Sequence, residues 1–152
     1  MVPGSSSWTP DQRSERGSEM VGFRYDDGGR AEVGYRGKTD DCVVRAIAIA
    51  ADLPYKKVYD DLYGLAGSSP REGVKTKVYR SYLERTLGWV WVPTMFVGQG
   101  CKVHLRQEEL PGGRLVLRLS RHLTAMIDGV VHDIYDPCRE GTRCVYGYYR
   151  AP

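Results

Sequence analysis

The chain has 152 residues, 41% of them hydrophobic and 27% charged, with eighteen glycines; that is enough chain to bury one core, in a soluble domain with many loops. A formal net charge of +3 is too small to argue for nucleic acid or a membrane surface as a partner. No run of about eighteen apolar residues is present that could span a bilayer.

Residues 1–19 are polar and rich in glycine and serine. With little to bury, they are expected to form a disordered tail, and residues 20–152 a single domain. The N-terminus lacks the apolar centre of a signal peptide, which points to a cytoplasmic protein. Cys42, Cys101, Cys138 and Cys144 are then expected as free thiols in a reducing compartment. They contain no CxxC pair, so no structural zinc site is expected.

In chain order, Val21–Tyr25 and Ala31–Tyr35 alternate around Asp26-Asp27-Gly28-Gly29, which predicts a β-hairpin. The next stretch, Thr39 to Ala51, is the most informative one. Thr39 or Asp40 can cap a helix, and from Val43 to Ala51 every residue but Arg45 is apolar. A helix that is apolar almost all round is a buried one. Cys42 falls in its first turn, where the partial positive charge of the amide groups favours a thiolate. The plain alternative is a small core cysteine.

Asp52-Leu53-Pro54 ends this helix and starts a second, with Val58, Leu62 and Leu65 at helical spacing. A third helix is predicted from Gly73 to Leu87, stopped by Gly88. Trp89–Val92 reads as a strand. From Arg114 the period becomes strand-like: Leu115–Leu119, then Leu123–Ile127 and Val130–Tyr135 around the turn Asp128-Gly129, and Cys144–Tyr149 last. Helices followed by an antiparallel sheet make an α+β domain.

The Asp128-Gly129 turn fixes a register. Ile127 faces Val130, Thr124 faces Asp133 and His122 faces Tyr135, so all four of the last-named side chains share one face. His122 and Asp133 are diagonal neighbours, in reach for a carboxylate to accept an imidazole N–H, orient the ring and set its tautomer. A one-residue bulge would reverse the parity and offer Asp136 instead. Elsewhere, His104 three residues after Cys101 suits one helix face but lacks a third ligand, and His132 falls opposite His122. A metal-dependent site using the three histidines and a thiolate is the least favoured reading. Cys138 and Cys144 could meet across the turn between them.

The order of these pieces, Asp41-Cys42 opening a buried helix, His122-Leu123-Thr124-Ala125-Met126 on a strand and Asp136-Pro137 closing the next, resembles the papain-like cysteine peptidase fold. It is most similar to the small peptidase domains that process bacteriocin leader peptides. The likeness implies a Cys-bearing helix packed on a C-terminal antiparallel sheet, no cofactor, and a peptide or protein substrate. It favours Asp136 as the acid, where the hairpin register favours Asp133. The segments Asp-Cys-Val-Val-Arg-Ala and Asp-Gly-Val-Val-His-Asp also look like those of a group of uncharacterised phage and bacterial proteins, which would extend the setting to a host cytoplasm or a virion. One departure stands out. Papain-like peptidases place a glutamine a few residues before the cysteine as an oxyanion-hole donor, whereas Arg36 stands six residues before Cys42 and the chain has no asparagine. The hole would draw on the Cys42 N–H with Thr39, Arg36 or Gln99. The expected chemistry is a cysteine hydrolase (peptidase, isopeptidase or amidase) using Cys42, His122 and Asp133 or Asp136. The alternative is a non-catalytic papain-like module that binds a phage or host protein.

Overall fold

The computed structural model describes residues 21–35 and 40–152. The expected N-terminal tail, Arg36 and Thr39 lie outside the described residues. The architecture is α+β: three helices packed on a mixed six-stranded sheet. The strands are β1 (Gly22–Tyr25), β2 (Val90–Pro93), β3 (Arg114–Leu119), β4 (His122–Ile127), β5 (Val130–Asp133) and β6 (Gly147–Arg150), in the spatial order β1-β5-β4-β3-β6-β2. The helices are α1 (Cys42–Ala51), α2 (Tyr55–Ala66) and α3 (Thr76–Ser81), the last continuing into a π-helical turn at Tyr82–Thr86.

Period-two alternation builds a core on each face of the sheet. Val116, Leu123, Ala125 and Tyr149 point to the helices, while Leu115, Leu117, Leu119, Met126 and Val131 point away, under Leu105, Leu110 and Val145 from the irregular segments. Every residue of α1 from Val43 to Ala50 is buried. Its alanines leave so little side chain that the helix lies directly against β4. The C-terminal end of α1 is closed twice. Asp52 takes the left-handed conformation and donates its N–H to Ala48 and Ile49, and the Arg114 guanidinium donates to the carbonyls of Ile49 and Ala50, both at 3.2 Å.

Several expectations are corrected. Val21–Tyr35 is no hairpin: Ala31–Val33 forms a 3-10 turn, and β1 pairs in parallel with β5. The Asp26 and Asp27 carboxylates accept the N–H groups of Gly28 (2.8 Å), Gly29 (2.9 Å) and Ala31 (3.1 Å), which curls the chain toward α1 before a second strand can form. Gly28, at φ 72°, lies so near the α1 backbone that an added Cβ would sit 3.4 Å from Arg45 Cα; a turn this tight against a helix needs glycine. The sheet is therefore mixed rather than antiparallel. The residue flanking α1 is Asp41, whose side chain makes no capping bond. Asp40 is exposed and gives its backbone N–H to the Arg71 carbonyl at 2.9 Å.

The cysteines are not all free. Cys101 and Cys144 form a disulfide with a Cα–Cα separation of 5.9 Å, leaving Cys42 and Cys138 as thiols. Antiparallel pairing of β2 with β6 brings the loop after the one beside the loop before the other. His104 and Cys144 form an isolated bridge there. Cys138 does not meet Cys144 but is buried on its own.

Candidate active site

Cys42 opens α1 and is partly buried against the helical core. As a first-turn residue its backbone N–H has no partner within the helix. His122 opens β4 and Asp133 ends β5. The hairpin between them runs Ile127↔Val130, Met126↔Val131, Ala125↔His132, and that register carries Thr124 opposite Asp133. His122 Nε2 lies 2.7 Å from Asp133 Oδ2, so the other ring nitrogen, Nδ1, is the one left for the thiol. The Cys42 thiol lies near enough to the imidazole to help raise its pKa.

Asp133 is saturated with donors. Thr124 Oγ1 donates to Oδ2 at 2.6 Å, and Arg45 Nη1 and the Ile134 N–H donate to Oδ1 at 3.0 and 2.7 Å. Burial acts against ionisation of Asp133, yet the bonds from His122 and Thr124 prevail and hold its carboxyl below the usual range. For His122 burial acts to lower the pKa. The hydrogen bond to Asp133 and the neighbouring thiol outweigh it, and the pKa is raised. The Tyr135 ring, 5.2 Å from the imidazole between centroids, covers its outer side.

Behind this pair lies a buried network the sequence reading did not anticipate. Arg45, the lone charge on an apolar helix, reaches Asp133 with Nη1 and Asp41 with Nε, each at 3.0 Å. Asp41 also accepts the Tyr55 hydroxyl at 2.7 Å and lies 3.3 Å from Arg30 Nε. Asp41, which by position would oppose a thiolate at Cys42, is thus matched by two guanidinium groups. The Asp41/Arg45 spacing of four was the available signal, since such residues are neighbours on one helix face.

Cys42 and His122 open together into a cleft of about 710 Å3 between the α1 N-terminus, the loop at Gly73 and Val74, the β3–β4 turn and Tyr135. Asp136 does not approach the imidazole: it is exposed and its Oδ1 accepts the Cys138 N–H at 3.0 Å, a turn bond. Gln99 sits on an exposed loop whose residues do not line the cleft. No asparagine or glutamine side chain lines it among the described residues. His104 pairs with Glu109 at 3.3 Å and His132 faces Asp26 at 3.5 Å, so the three histidines have separate partners. No group of three His, Cys, Asp or Glu side chains arranged to hold a metal occurs among the described residues. No described helix is long and apolar enough to cross a membrane.

The arrangement combines a thiol, an imidazole and a carboxylate in the order that nucleophilic acyl transfer requires. The chain matches no family model, no curated protein and no solved structure, so the chemistry of the cleft has to be argued from these side chains.

Proposed function

We propose that the protein is a cysteine hydrolase of papain-like fold that cleaves an amide or peptide bond through Cys42, His122 and Asp133. The observation that carries this reading is the His122 imidazole, held through Nε2 by Asp133 at 2.7 Å and sharing the lining of one open cleft with Cys42, whose thiol helps to raise the imidazole pKa. In the proposed reaction His122 takes the thiol proton as Sγ attacks the carbonyl carbon. The tetrahedral oxyanion is met by the Cys42 N–H, which has no partner among the described residues. The intermediate collapses to a thioester as His122 returns the proton to the leaving amine. Water then attacks the thioester, giving a proton to His122 that passes back to the sulfur. Asp133 stays ionised throughout, holding the imidazolium.

Alkylation resolved by residue tests the pair without knowledge of the substrate. At neutral pH iodoacetamide should modify Cys42 at least about tenfold faster than Cys138, whose thiol pKa burial pushes up. His122→Ala should remove that advantage. A Cys42 that stays unreactive in the folded chain, or reacts at the same rate without His122, would sink the proposal.

One observation favours a second reading. The cleft has no side-chain amide to complete an oxyanion hole among the described residues, and loss of one such donor typically reduces rate by about a hundred- to a thousand-fold. A non-catalytic module that binds a peptide in the same cleft would bind ligand and give no acyl-enzyme.

A further inference from the structure

Next to the cleft lies a second pocket of about 610 Å3 that shares Ser120, Arg121, His122 and Tyr135 with it and adds Asp136, Arg139 and Arg143. We propose that this pocket binds a carboxylate on the leaving group, so that the preferred substrate carries an acidic group just after the scissile bond. The inference rests on the acyl-transfer reading of Cys42 and His122.

The charge of the pocket is the first argument. Three arginines line the pocket with the single carboxylate of Asp136, and none of the three has an ion pair among the described residues. Arg143 is the most telling, being only 6% exposed. Its Nη1 and Nη2 donate to the carbonyls of Pro137 at 3.4 Å and Ser120 at 2.8 Å, and its Nε has no partner among the described residues. A buried charge that meets only neutral acceptors leaves the pocket with positive charge that an arriving anion would balance. Guanidinium groups match carboxylates through paired, parallel hydrogen bonds.

Backbone geometry is the second argument. Arg121 and Arg139 both take left-handed conformations, φ 56° and 52°, which glycine adopts with less strain. At both turn positions the chain carries arginine where glycine would fit more easily, and both side chains line the pocket.

The side of the cleft follows from the chemistry. His122 must hand its proton to the leaving amine, so the leaving group lies on the imidazole side. The basic pocket touches His122 and not Cys42, which places it there. A Glu or Asp side chain or a free C-terminus would supply that carboxylate.

The test uses three probes that alkylate Cys42 by displacement of bromide: bromoacetyl-Glu-amide, bromoacetyl-Gln-amide and bromoacetyl-Gln with a free α-carboxylate. Mass spectrometry reads the rate at Cys42. At low salt at least one acidic probe should react about tenfold faster than the neutral one, with the advantage shrinking as salt is raised. The faster acidic probe tells side chain from terminus. In Arg121→Gly/Arg139→Gly, whose glycines suit the left-handed backbone, the ratio should fall to within about twofold; the melting temperature of this variant shows whether it has folded, and Arg143→Lys supplies a second test in which the flat fork is lost and the charge kept. Equal rates in the wild type, or a preference that persists in the folded double variant, overturn the proposal. Above the ordinary thiol pKa of about 8.5 the ratio can be read even from an unactivated Cys42, so failure of the hydrolase reading and failure of the pocket give different results.

Discussion

Arg45 and His122 share one carboxylate from opposite sides, since Arg45 Nη1 meets Asp133 Oδ1 and His122 Nε2 meets Oδ2. The guanidinium on α1 fixes one oxygen of the acid while the imidazole and Thr124, on the other oxygen, hold its carboxyl below the usual range. The pKa directions turn this into a prediction about stability. The folded pKa of His122 is raised above 6.5, so its charged form adds stability that is fully present below pH 6.5 and is lost as pH rises through the folded value. The folded pKa of Asp133 is lowered from 3.8, so its contribution is present above pH 3.8 and is lost as pH falls through the folded value. The stability gap between wild type and His122→Ala, read by urea unfolding, should be widest between pH 3.8 and 6.5 and narrow at higher pH. A gap that widened with rising pH would contradict the ion pair. At this scale the sequence was readable where a turn set the register: Asp128-Gly129 alone put Thr124 opposite Asp133. Asp136 required either a one-residue bulge, which the register of β4 and β5 does not contain, or the likeness of an Asp-Pro pair, which carries no register, and the structure uses it in a turn. The role of Arg45 is hard to read from sequence because its two partners lie four and 88 residues away, and only the nearer one leaves a trace in the spacing.

At the scale of elements, the apolar run of α1 and the alternation of β3, β4 and β5 were legible because each buries a face whose period the sequence repeats. The entry to α1 was not. Asp26 and Asp27 spend their side chains on backbone N–H groups, and the free edge of β5 accepts β1 in parallel, a long-range choice that no local pattern records. At the other edge of the sheet, β2 and β6 depend on one close approach. The Trp91 indole lies over Gly147, and a Cβ there would collide with the ring, while Trp91 also packs on Tyr149 at 4.7 Å between centroids. Gly147→Ala should therefore destabilise the fold by about 1–3 kcal/mol through overpacking, measured by urea unfolding with tryptophan fluorescence. An unchanged midpoint would mean that the edge is looser than this packing implies.

Across the whole molecule, one covalent link joins the two loops that leave the β2–β6 edge. The Cys101–Cys144 disulfide spans 43 residues of sequence, and closing a loop of that length stabilises a fold by about 4 kcal/mol in the chain-entropy model. Cys101→Ser/Cys144→Ser should lower the melting temperature markedly, while Cys138→Ser should not; equal, small effects would show that the bridge adds little. The expectation of free thiols failed because it came from compartment and spacing, whereas the pairing follows from strand order. The central claim concerns the interior of the sheet, where α1 packs on β4 and Cys42 and His122 line one cleft. Its most direct test is the acyl-enzyme itself: the chain is mixed with p-nitrophenyl acetate, a generic acyl donor, quenched in acid, and mapped by peptide mass spectrometry over time. The account predicts an acetyl group that forms on Cys42 and then decays by hydrolysis, and that is absent in Cys42→Ala and strongly reduced in His122→Ala. Acetylation confined to lysines, with Cys42 unmodified throughout, would contradict it.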